Sequence, residues 1–297
     1  MARDWEQDFR RWAEGPSKTE QQKAENAESM IRSAIAASSQ LRSRTIEVFG
    51  QGSYRNRTNV RQDSDVDVCV RCMDSFFGDY SKVSREQAGV LDATYGYADF
   101  RNDVEAALRS SFGTKSVTRG NKAFDIHENT YRVDADVVAC FEHRRYYTSN
   151  GAIRYLSGTE LVADDGTHVR NWPDQQYDNG VKKNDETGRR FKRLVRILKR
   201  LRNEMAENGN QHTDNIPSYL IECLVWNVPN DGFGHTTYGD DLRFVLATLW
   251  NQTRTAETCA EWGEENELKY LFRPSQKWTR EQSNSFLQAA WDYIGYQ

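Results

Sequence analysis

The sequence of 297 residues lacks the long apolar run that a membrane-spanning helix needs. Such a helix takes about 20 consecutive apolar residues, and no run approaches that length. The N-terminal segment MARDWEQDFRRWAEG also lacks the apolar centre of a signal peptide, because Asp, Glu and Arg interrupt it. We therefore predict a cytoplasmic protein that does not bind a membrane.

The chain also lacks a surplus of basic residues, since 40 Lys and Arg stand against 44 Asp and Glu, a net charge of −4. Proteins whose main task is to coat nucleic acid carry a basic surplus that displaces condensed counterions. Nucleic acid is therefore not an expected partner. Hydrophobic residues make up 37% and aromatic residues 12%, which predicts a folded globular protein rather than a disordered one.

Cysteine and histidine are scarce, with five of each. An odd number of cysteines in a long chain without a secretion signal does not indicate a disulfide framework. Cys69 and Cys72 form a CxxC pair, but residues three apart point to opposite faces of a strand, and no second pair or nearby histidine accompanies them. We expect no structural zinc. The histidines show no metal-binding or catalytic spacing.

Hydrophobic periodicity predicts a mixed α/β first half and a mainly helical second half. We divide the chain into a mixed α/β lobe over 1–150, which includes an N-terminal brace helix, and a mainly helical lobe over 151–297. The predicted helices are 17–43 (capped near Ser17 or Thr19), 97–112, 188–205, 217–226, 240–252 and 279–294; the predicted strands are 46–49, 65–70, 116–118 and 131–141, followed by a hairpin over 152–173 that turns at Asp165-Gly166 and a weak linker over 173–188.

The most informative stretch is 49–70, FGQGSYRNRTNVRQDSDVDVCV. A small turn at Gly52-Ser53 allows backbone N–H groups and a hydroxyl to approach phosphate oxygens closely. Twelve residues later, the period of two in DVDV places the carboxylates of Asp65 and Asp67 on one face of a strand. Either feature alone is usually just a turn or a solvent-facing strand, but their order and spacing together favour a phosphate site.

Paired carboxylates with a third oxygen donor suit Mg²⁺, and two such ions about 3.5–4 Å apart can stabilise the attacking and leaving oxygens of phosphoryl transfer. The segment YRVDADVVACF (131–141) supplies candidates for the third donor, because Asp134 and Asp136 share one strand face. We predict a site for two Mg²⁺ ions, with Mn²⁺ as an alternative.

This pattern resembles the nucleotidyltransferase superfamily of the DNA polymerase β type, whose signature is hG[GS], Dh[DE]h and a later strand with one Asp, where h is apolar. The segments GSYRNRT, DSDVDV, ADVVACF, FKRLVRILKRLRNEM and PSYLIECLVWNVP more closely resemble the bacterial CD-NTases, the cyclic GMP-AMP synthase-like enzymes of anti-phage signalling. The likeness extends from about residue 45 to the end. It implies an α+β, bilobal polymerase β-like core with a mixed sheet, and an active site in the cleft between the lobes.

The resemblance also implies roles for individual residues. Asp136 matches the family's third acid, which helps to deprotonate the attacking hydroxyl, and Asp134 becomes a candidate for supporting it; Ala139 stands where the family often has Pro. Donor-nucleotide binding is assigned to Gly52, Ser53, Lys199, Ser218 and Tyr219, and metal binding and catalysis to Asp65, Asp67 and Asp136. A Lys suits a phosphate as a point charge and a Tyr ring can stack on a base, although a solvated helix face and a core Tyr are the ordinary alternatives.

The implied activity is the joining of nucleoside triphosphates into a cyclic di- or trinucleotide, with release of pyrophosphate. The product would activate a separate effector during phage infection, and we expect the enzyme to be a monomer. Two other functions remain open. One is an RNA- or tRNA-directed transferase, such as a poly(A) polymerase-like enzyme, which would use the same three acids; the other is a catalytically silent nucleotide-binding scaffold, which the intact acidic set disfavours.

Overall fold

The computed structural model describes residues 3–60, 66–127 and 134–297. Asp65 lies outside the described residues, and so do residues 131–133 of the predicted strand 131–141. The helices are α1 (Trp5–Trp12), α2 (Lys18–Ala37), α3 (Gly52–Asn56), α4 (Tyr97–Phe112), α5 (Pro173–Glu186), α6 (Arg190–Glu207), α7 (Ser218–Trp226), α8 (Tyr238–Gln252) and α9 (Arg280–Ile294). The strands are β1 (Ile46–Gly50), β2 (Val66–Asp79), β3 (Val117–Arg119), β4 (Phe124–Ile126), β5 (Ala135–Ser149), β6 (Ala152–Val162) and β7 (His168–Asn171).

The chain folds into two compact units. The helical unit comprises the described residues within Met1–Pro16, Asn56–Asp63 and Asp174–Gln297, and the sheet unit those within Ser17–Arg55 and Ser64–Pro173. This arrangement differs from the predicted division at residues 150 and 151. The reason is that β6 and β7 continue the sheet beyond residue 150, while α1 packs into the core of the helical unit.

The sheet is mixed, as predicted. Strands β1, β2, β5, β4 and β3 lie side by side in that order, β6 pairs with the far part of β5, and β7 pairs with β6. Only β2 and β5 run parallel among these described pairs, and the others are antiparallel. The two long central strands, β2 and β5, therefore pair directly with β1, β4 and β6.

Helix α2 packs on α4, β1 and β2, which confirms the predicted brace helix. It begins with a capping box: Ser17 Oγ accepts from the Glu20 backbone N at 3.2 Å, and the Ser17 backbone N donates to Glu20 Oε2 at 2.7 Å. Ala27, Ile31 and Ile35 are buried on its inner face. The helix ends at Ala37, six residues before the predicted end.

The predicted hairpin after residue 152 is confirmed. Strands β6 and β7 pair antiparallel, and the pairing closes at Val162 and His168. Gly166 has a φ of +81°, which a residue without a Cβ adopts without strain. Asp165 Oδ1 accepts a hydrogen bond from the Thr167 backbone N at 2.8 Å and stabilises the turn.

Residues 173–186 form helix α5, where the sequence predicted a linker. The helix begins with Pro173 at its first position, where a missing N–H costs nothing. One of its polar residues packs into the protein: Lys183 is buried, and its Nζ donates to Val228 O and to Asn230 Oδ1, both at 2.7 Å. Burial lowers the pKa of Lys183 to about 8. Polar composition therefore gave the wrong prediction here.

The two cysteines of the CxxC pair do point to opposite faces of β2. Cys72 joins the main core of the sheet unit, whereas Cys69 belongs to a small cluster on the other face with Cys140 and Leu161. Both thiols are buried and free. Within the described residues, no helix combines the length and the apolar character that a membrane span requires.

Candidate active site

The Gly-Ser turn follows β1 directly and is held against β2. The Gln51 backbone N donates to the Asp67 carbonyl at 2.8 Å, and the chain then enters the short helix α3 at Gly52. Ser53 is the second residue of this helix and is partly exposed. The strand, turn and strand that the sequence predicted are therefore present, with the turn continued as a single helical turn.

Gly52 touches the side chain of Asp67. A Cβ at position 52 would lie 2.1 Å from Asp67 Oδ2, and the backbone has a φ of +64°. Both facts require glycine here, since a methyl group has no room and the left-handed conformation strains other residues. The Asp67 carboxylate thus lies directly against the turn that is predicted to hold phosphate oxygens.

Asp67 and Asp136 lie side by side on one face of the sheet. They are register partners in the parallel pair β2–β5, where neighbouring strands are about 4.8 Å apart. Both residues are partly exposed, whereas Val66, Val68 and Val137, which face the other way, are buried. Asp134 lies two residues before Asp136, and its carbonyl accepts from the Val66 backbone N at 3.0 Å. The structure therefore brings together two of the three predicted acids.

A third carboxylate continues this row and was missed in the sequence. Asp125 of β4 pairs with Asp136 in antiparallel register, so the two side chains share a face. Among the described residues, no hydrogen-bond or ion-pair partner of Asp125 is found. Strand β4 has only three residues, too few for a period to be recognised, but the alternation of buried Phe124 and Ile126 around Asp125 was an available signal.

The donor set suits a hard divalent cation. Carboxylate oxygens are the ligands that Mg²⁺ prefers, and the Asp67 carboxylate adjoins the backbone of the Gly-Ser turn. Within the described residues, no three His, Cys, Asp or Glu side chains converge closely enough to hold a metal. Asp65, the remaining predicted ligand, lies outside these residues, so the complete ligand set stays a prediction.

Lys199 lies in the helical unit and is completely buried. Its Nζ donates to Glu222 Oε1 at 2.6 Å and to the Thr58 carbonyl at 3.0 Å. One turn earlier on α6, Arg196 binds the carbonyls of Ala13 and Arg57, the latter at 2.6 Å. In this structure, both cations hold the segment that begins at Arg57. The predicted contact of Lys199 with a phosphate remains a prediction.

Ser218 and Tyr219 open helix α7 and are partly exposed. Ser218 Oγ accepts from Arg202 Nη2 at 2.9 Å. The Tyr219 hydroxyl donates to Glu264 Oε2 at 2.8 Å, and its ring packs edge-on against Trp278. Burial raises the pKa of Tyr219 well above its ordinary value, so the hydroxyl stays a donor at neutral pH. The hydroxyl fixes the ring, whose predicted stacking on a base remains to be tested.

Two glutamates that the sequence analysis did not single out hold these predicted clamp residues. Glu222 pairs with Lys199, and Glu264 binds Tyr219. Glu222 is the one charged residue in the apolar run YLIECLVW, and a charge in such a run is a usable signal for a buried ion pair.

Similarity to characterised proteins decides the family. A protein from Legionella pneumophila, described as cyclic dipyrimidine nucleotide synthase CdnE, is 48% identical over 297 residues, which cover 99% of each chain. The chain belongs to the CD-NTase family. In agreement, the model of the C-terminal helical domain of the cGAS/DncV-like nucleotidyltransferases matches residues 178–295.

Other CD-NTases confirm the fold and the enzyme class. A second cyclic dipyrimidine nucleotide synthase CdnE, from Cecembia lonarensis, is 43% identical over 298 residues and covers 100% of each chain. The solved structure of the Rhodothermus marinus CdnE c-UMP-AMP synthase with Apcpp and Upnpp superposes with a TM-score of 0.85 at 32% identity, covering 98% of this chain and 97% of that one. This CD-NTase is therefore a nucleotidyltransferase with the predicted α+β architecture.

The close approach of Gly52 to Asp67 makes the Gly52→Ala variant a direct test of the site. The added methyl group must displace the Asp67 carboxylate, so we expect kcat/KM to fall by about 100-fold or more, as when a catalytic group is misplaced by about 1 Å. Nucleotide turnover under initial-rate conditions measures the change.

Gly89 provides the matched control. It has the same φ of +64°, but no atom lies within 4 Å of a Cβ placed there. Gly89→Ala should therefore show the backbone strain alone, with activity close to wild type. Equal losses in the two variants would mean that strain, rather than the contact with Asp67, governs the effect.

The pairing of Asp125 with Asp136 predicts that charge repulsion lowers the free energy of unfolding of this CD-NTase. Like charges directly opposite one another destabilise a sheet, so Asp125→Asn should raise the free energy of unfolding by about 0.5 kcal/mol when a chelator removes divalent cations. Urea denaturation measures this difference. Asp185→Asn, at an exposed position of α5, makes the same change in net charge and should leave stability unchanged; a loss of stability in Asp125→Asn would contradict the assignment.

Proposed function

We propose that this CD-NTase joins two pyrimidine nucleoside triphosphates into a cyclic dinucleotide and releases pyrophosphate. Support comes from the two full-length relatives, at 48% and 43% identity, that are described as cyclic dipyrimidine nucleotide synthases. The observation that carries the chemistry is the contact between Gly52 and Asp67, next to Asp136 in the neighbouring strand. These contacts support a site in the sheet unit where phosphate-binding groups and cation ligands are adjacent.

The sheet unit would bind the donor nucleotide through two groups of residues, one for its phosphates and one for the metal ions. In this proposal, the backbone of the Gly52-Ser53 turn and the Ser53 hydroxyl hold the phosphates, and Asp65, Asp67 and Asp136 hold two Mg²⁺ or Mn²⁺ ions. When bound, the ions would neutralise charge that develops on the phosphoryl oxygens. The fit of the donor set supports this, because the carboxylate row has the hard oxygen ligands that such cations require.

The reaction would be the attack of a ribose hydroxyl on the α-phosphate of a second nucleotide, with pyrophosphate as the leaving group. Asp136 would accept the proton of that hydroxyl, a role that its register position beside Asp67 supports. A second round of the same transfer, with the nucleotides exchanged, closes the ring. The protein contributes positioning and charge stabilisation in both rounds.

The helical unit would contribute the rest of the nucleotide clamp. The partly exposed pair Ser218-Tyr219 offers a hydroxyl for phosphates and a ring for a base. Lys199 acts in this proposal chiefly through its hold on Thr58, five residues after Ser53 in the chain. Its buried position argues for positioning rather than for direct contact with substrate.

The cellular role follows from the family resemblance. We propose that the cyclic product is a second messenger in anti-phage defence that activates a separate effector, and that synthesis takes place in the cytoplasm by a monomeric enzyme. An acidic chain without a basic surplus supports free nucleotides rather than a polymer as substrates.

Incubation of the purified protein with all four NTPs and Mg²⁺, followed by mass spectrometry, tests the function. We expect a phosphatase-resistant cyclic dinucleotide built from CTP, UTP or both, formed without RNA and abolished by a chelator. Products that contain only purines would refute the substrate assignment, and activity only with added RNA would support the RNA-directed alternative.

Asp67→Asn links that activity to the proposed site. Removal of one charged ligand should lower kcat by at least about 1000-fold, because the phosphoryl charge loses its counter-charge. Asp185→Asn, on the exposed face of α5, should retain full activity. Wild-type turnover by Asp67→Asn would instead favour a site elsewhere.

A further inference from the structure

Two glutamates are buried in the helical unit where ionised side chains are costly. Glu222 is 3% exposed in the apolar helix α7, and Glu265 is 0% exposed in the segment between α8 and α9. A carboxylate that leaves water is tolerated only when it is paired, hydrogen-bonded or protonated. The contacts of each residue decide which of these applies.

Glu222 is half satisfied. Its Oε1 accepts from Lys199 Nζ at 2.6 Å and from Thr58 Oγ1 at 2.7 Å. Its Oε2 is buried and has no hydrogen-bond partner among the described residues. The pair with Lys199 gives one oxygen of Glu222 a donor and leaves the other oxygen without one.

Glu265 is half satisfied in the same way. Its Oε2 accepts from Gln176 Nε2 at 3.2 Å, while its Oε1 is buried without a partner in the described part of the chain. Helix α5 is shaped around this carboxyl group: a Cβ at Gly180 would lie 2.3 Å from Glu265 Oε1, and Asn179 Nδ2 donates to the Glu265 carbonyl at 2.8 Å. The buried position is therefore built into the fold.

The charged groups around Glu265 do not compensate its burial. Lys192 and Lys199 on α6 lower its pKa, but Lys199 is already paired with Glu222, and neither lysine forms an ion pair with Glu265. Burial, followed by repulsion from Glu222, raises the pKa of Glu265 to about 8. Burial, together with the charges of Arg57 and Arg196, lowers the pKa of the neighbouring Lys192.

We propose that Glu265 keeps its carboxyl proton at neutral pH and, through it, donates a hydrogen bond to Glu222. Glu265 thereby acts as a positioning residue for Lys199 and the Thr58 segment. One proton satisfies both oxygens that lack partners. No bond other than this hydrogen bond is made or broken. Glu222 then holds Lys199 with one oxygen and Glu265 with the other.

The consequence for nucleotide binding rests on the proposed function. Glu264, the preceding residue, binds the Tyr219 hydroxyl, so two consecutive glutamates support both Tyr219 and Lys199. Loss of the Glu265 proton would place two adjacent buried charges in this network. We therefore expect the nucleotide clamp to be competent only while Glu265 is neutral.

The sign of the pH effect follows from the raised pKa. Glu265 titrates at about 4.5 when the chain is unfolded and at about 8 in the folded protein, so the folded state binds the extra proton between these values. The contribution of Glu265 to the free energy of unfolding is complete below its unfolded-state pKa and is lost as the pH rises through its folded-state pKa. Glu265→Gln, a permanently neutral carboxamide of the same shape, should not show this loss.

Infrared spectroscopy tests the protonation without any need for activity. At neutral pH, the difference spectrum between wild type and Glu265→Gln should contain the carbonyl band of a protonated carboxyl group, and this band should disappear as the pH is raised through 8. Glu261→Gln, at an exposed position in the same segment, should give no such band. Absence of the band in the Glu265 difference spectrum would overturn the proposal, whatever the enzyme makes.

Thermal unfolding and steady-state kinetics test the positioning role. Between about pH 7 and pH 9, the Tm of the wild type should fall by about 4 °C relative to Glu265→Gln. Over the same range, the wild-type KM for nucleotide should rise about tenfold relative to the variant, since the protonated fraction falls to about one tenth, while kcat changes little. Parallel KM profiles would refute the positioning role, whereas lack of synthesis by either protein would refute only the proposed function.

Discussion

The parallel pairing of β2 with β5 is the constraint on which the proposed active site depends. It places Asp67 beside Asp136, although 69 positions separate them in the chain, and it exposes both on the face where the Gly-Ser turn meets β2. The turn is fixed in two ways, by the hydrogen bond from Gln51 to the Asp67 carbonyl and by the lack of a side chain at Gly52. A shift of one residue in this pairing would turn the side chain of Asp136 to the other face of the sheet, away from Asp67 and the turn that is predicted to hold phosphate.

The two units use charge in different ways. In the sheet unit, Asp67, Asp136 and Asp125 are register neighbours on one face of three adjacent strands, where like charges repel one another. In the helical unit, the buried Lys199 is paired with the buried Glu222. The proposed function assigns cation binding to the first group and positioning to the second.

Local sequence patterns predicted the side chains of the candidate site that depend only on neighbouring residues. The features that they missed depend on contacts between residues far apart in the chain. Alternation with period two was enough to place Asp67 on the exposed face of a strand, since that property depends only on neighbouring residues. The pairing of Asp125 with Asp136 depends on a three-residue strand, and the burial of Lys199 depends on Glu222, 23 residues later. Helix α5 was missed for a related reason: its polar side chains are satisfied by residues far along the chain, such as Val228 and Asn230.

Buried ion pairs add little net stability, because the cost of removing two charges from water offsets most of their attraction, yet removal of one partner is strongly destabilising. The network of Lys199, Glu222 and Thr58 is therefore better explained by the geometry it enforces than by the free energy it contributes. Lys199 Nζ donates to the Thr58 carbonyl, so the network fixes the position of this segment within the helical unit. In the proposed arrangement, a proton on Glu265 completes this network without adding a charge and gives a partner to the two buried carboxylate oxygens that otherwise lack one among the described residues.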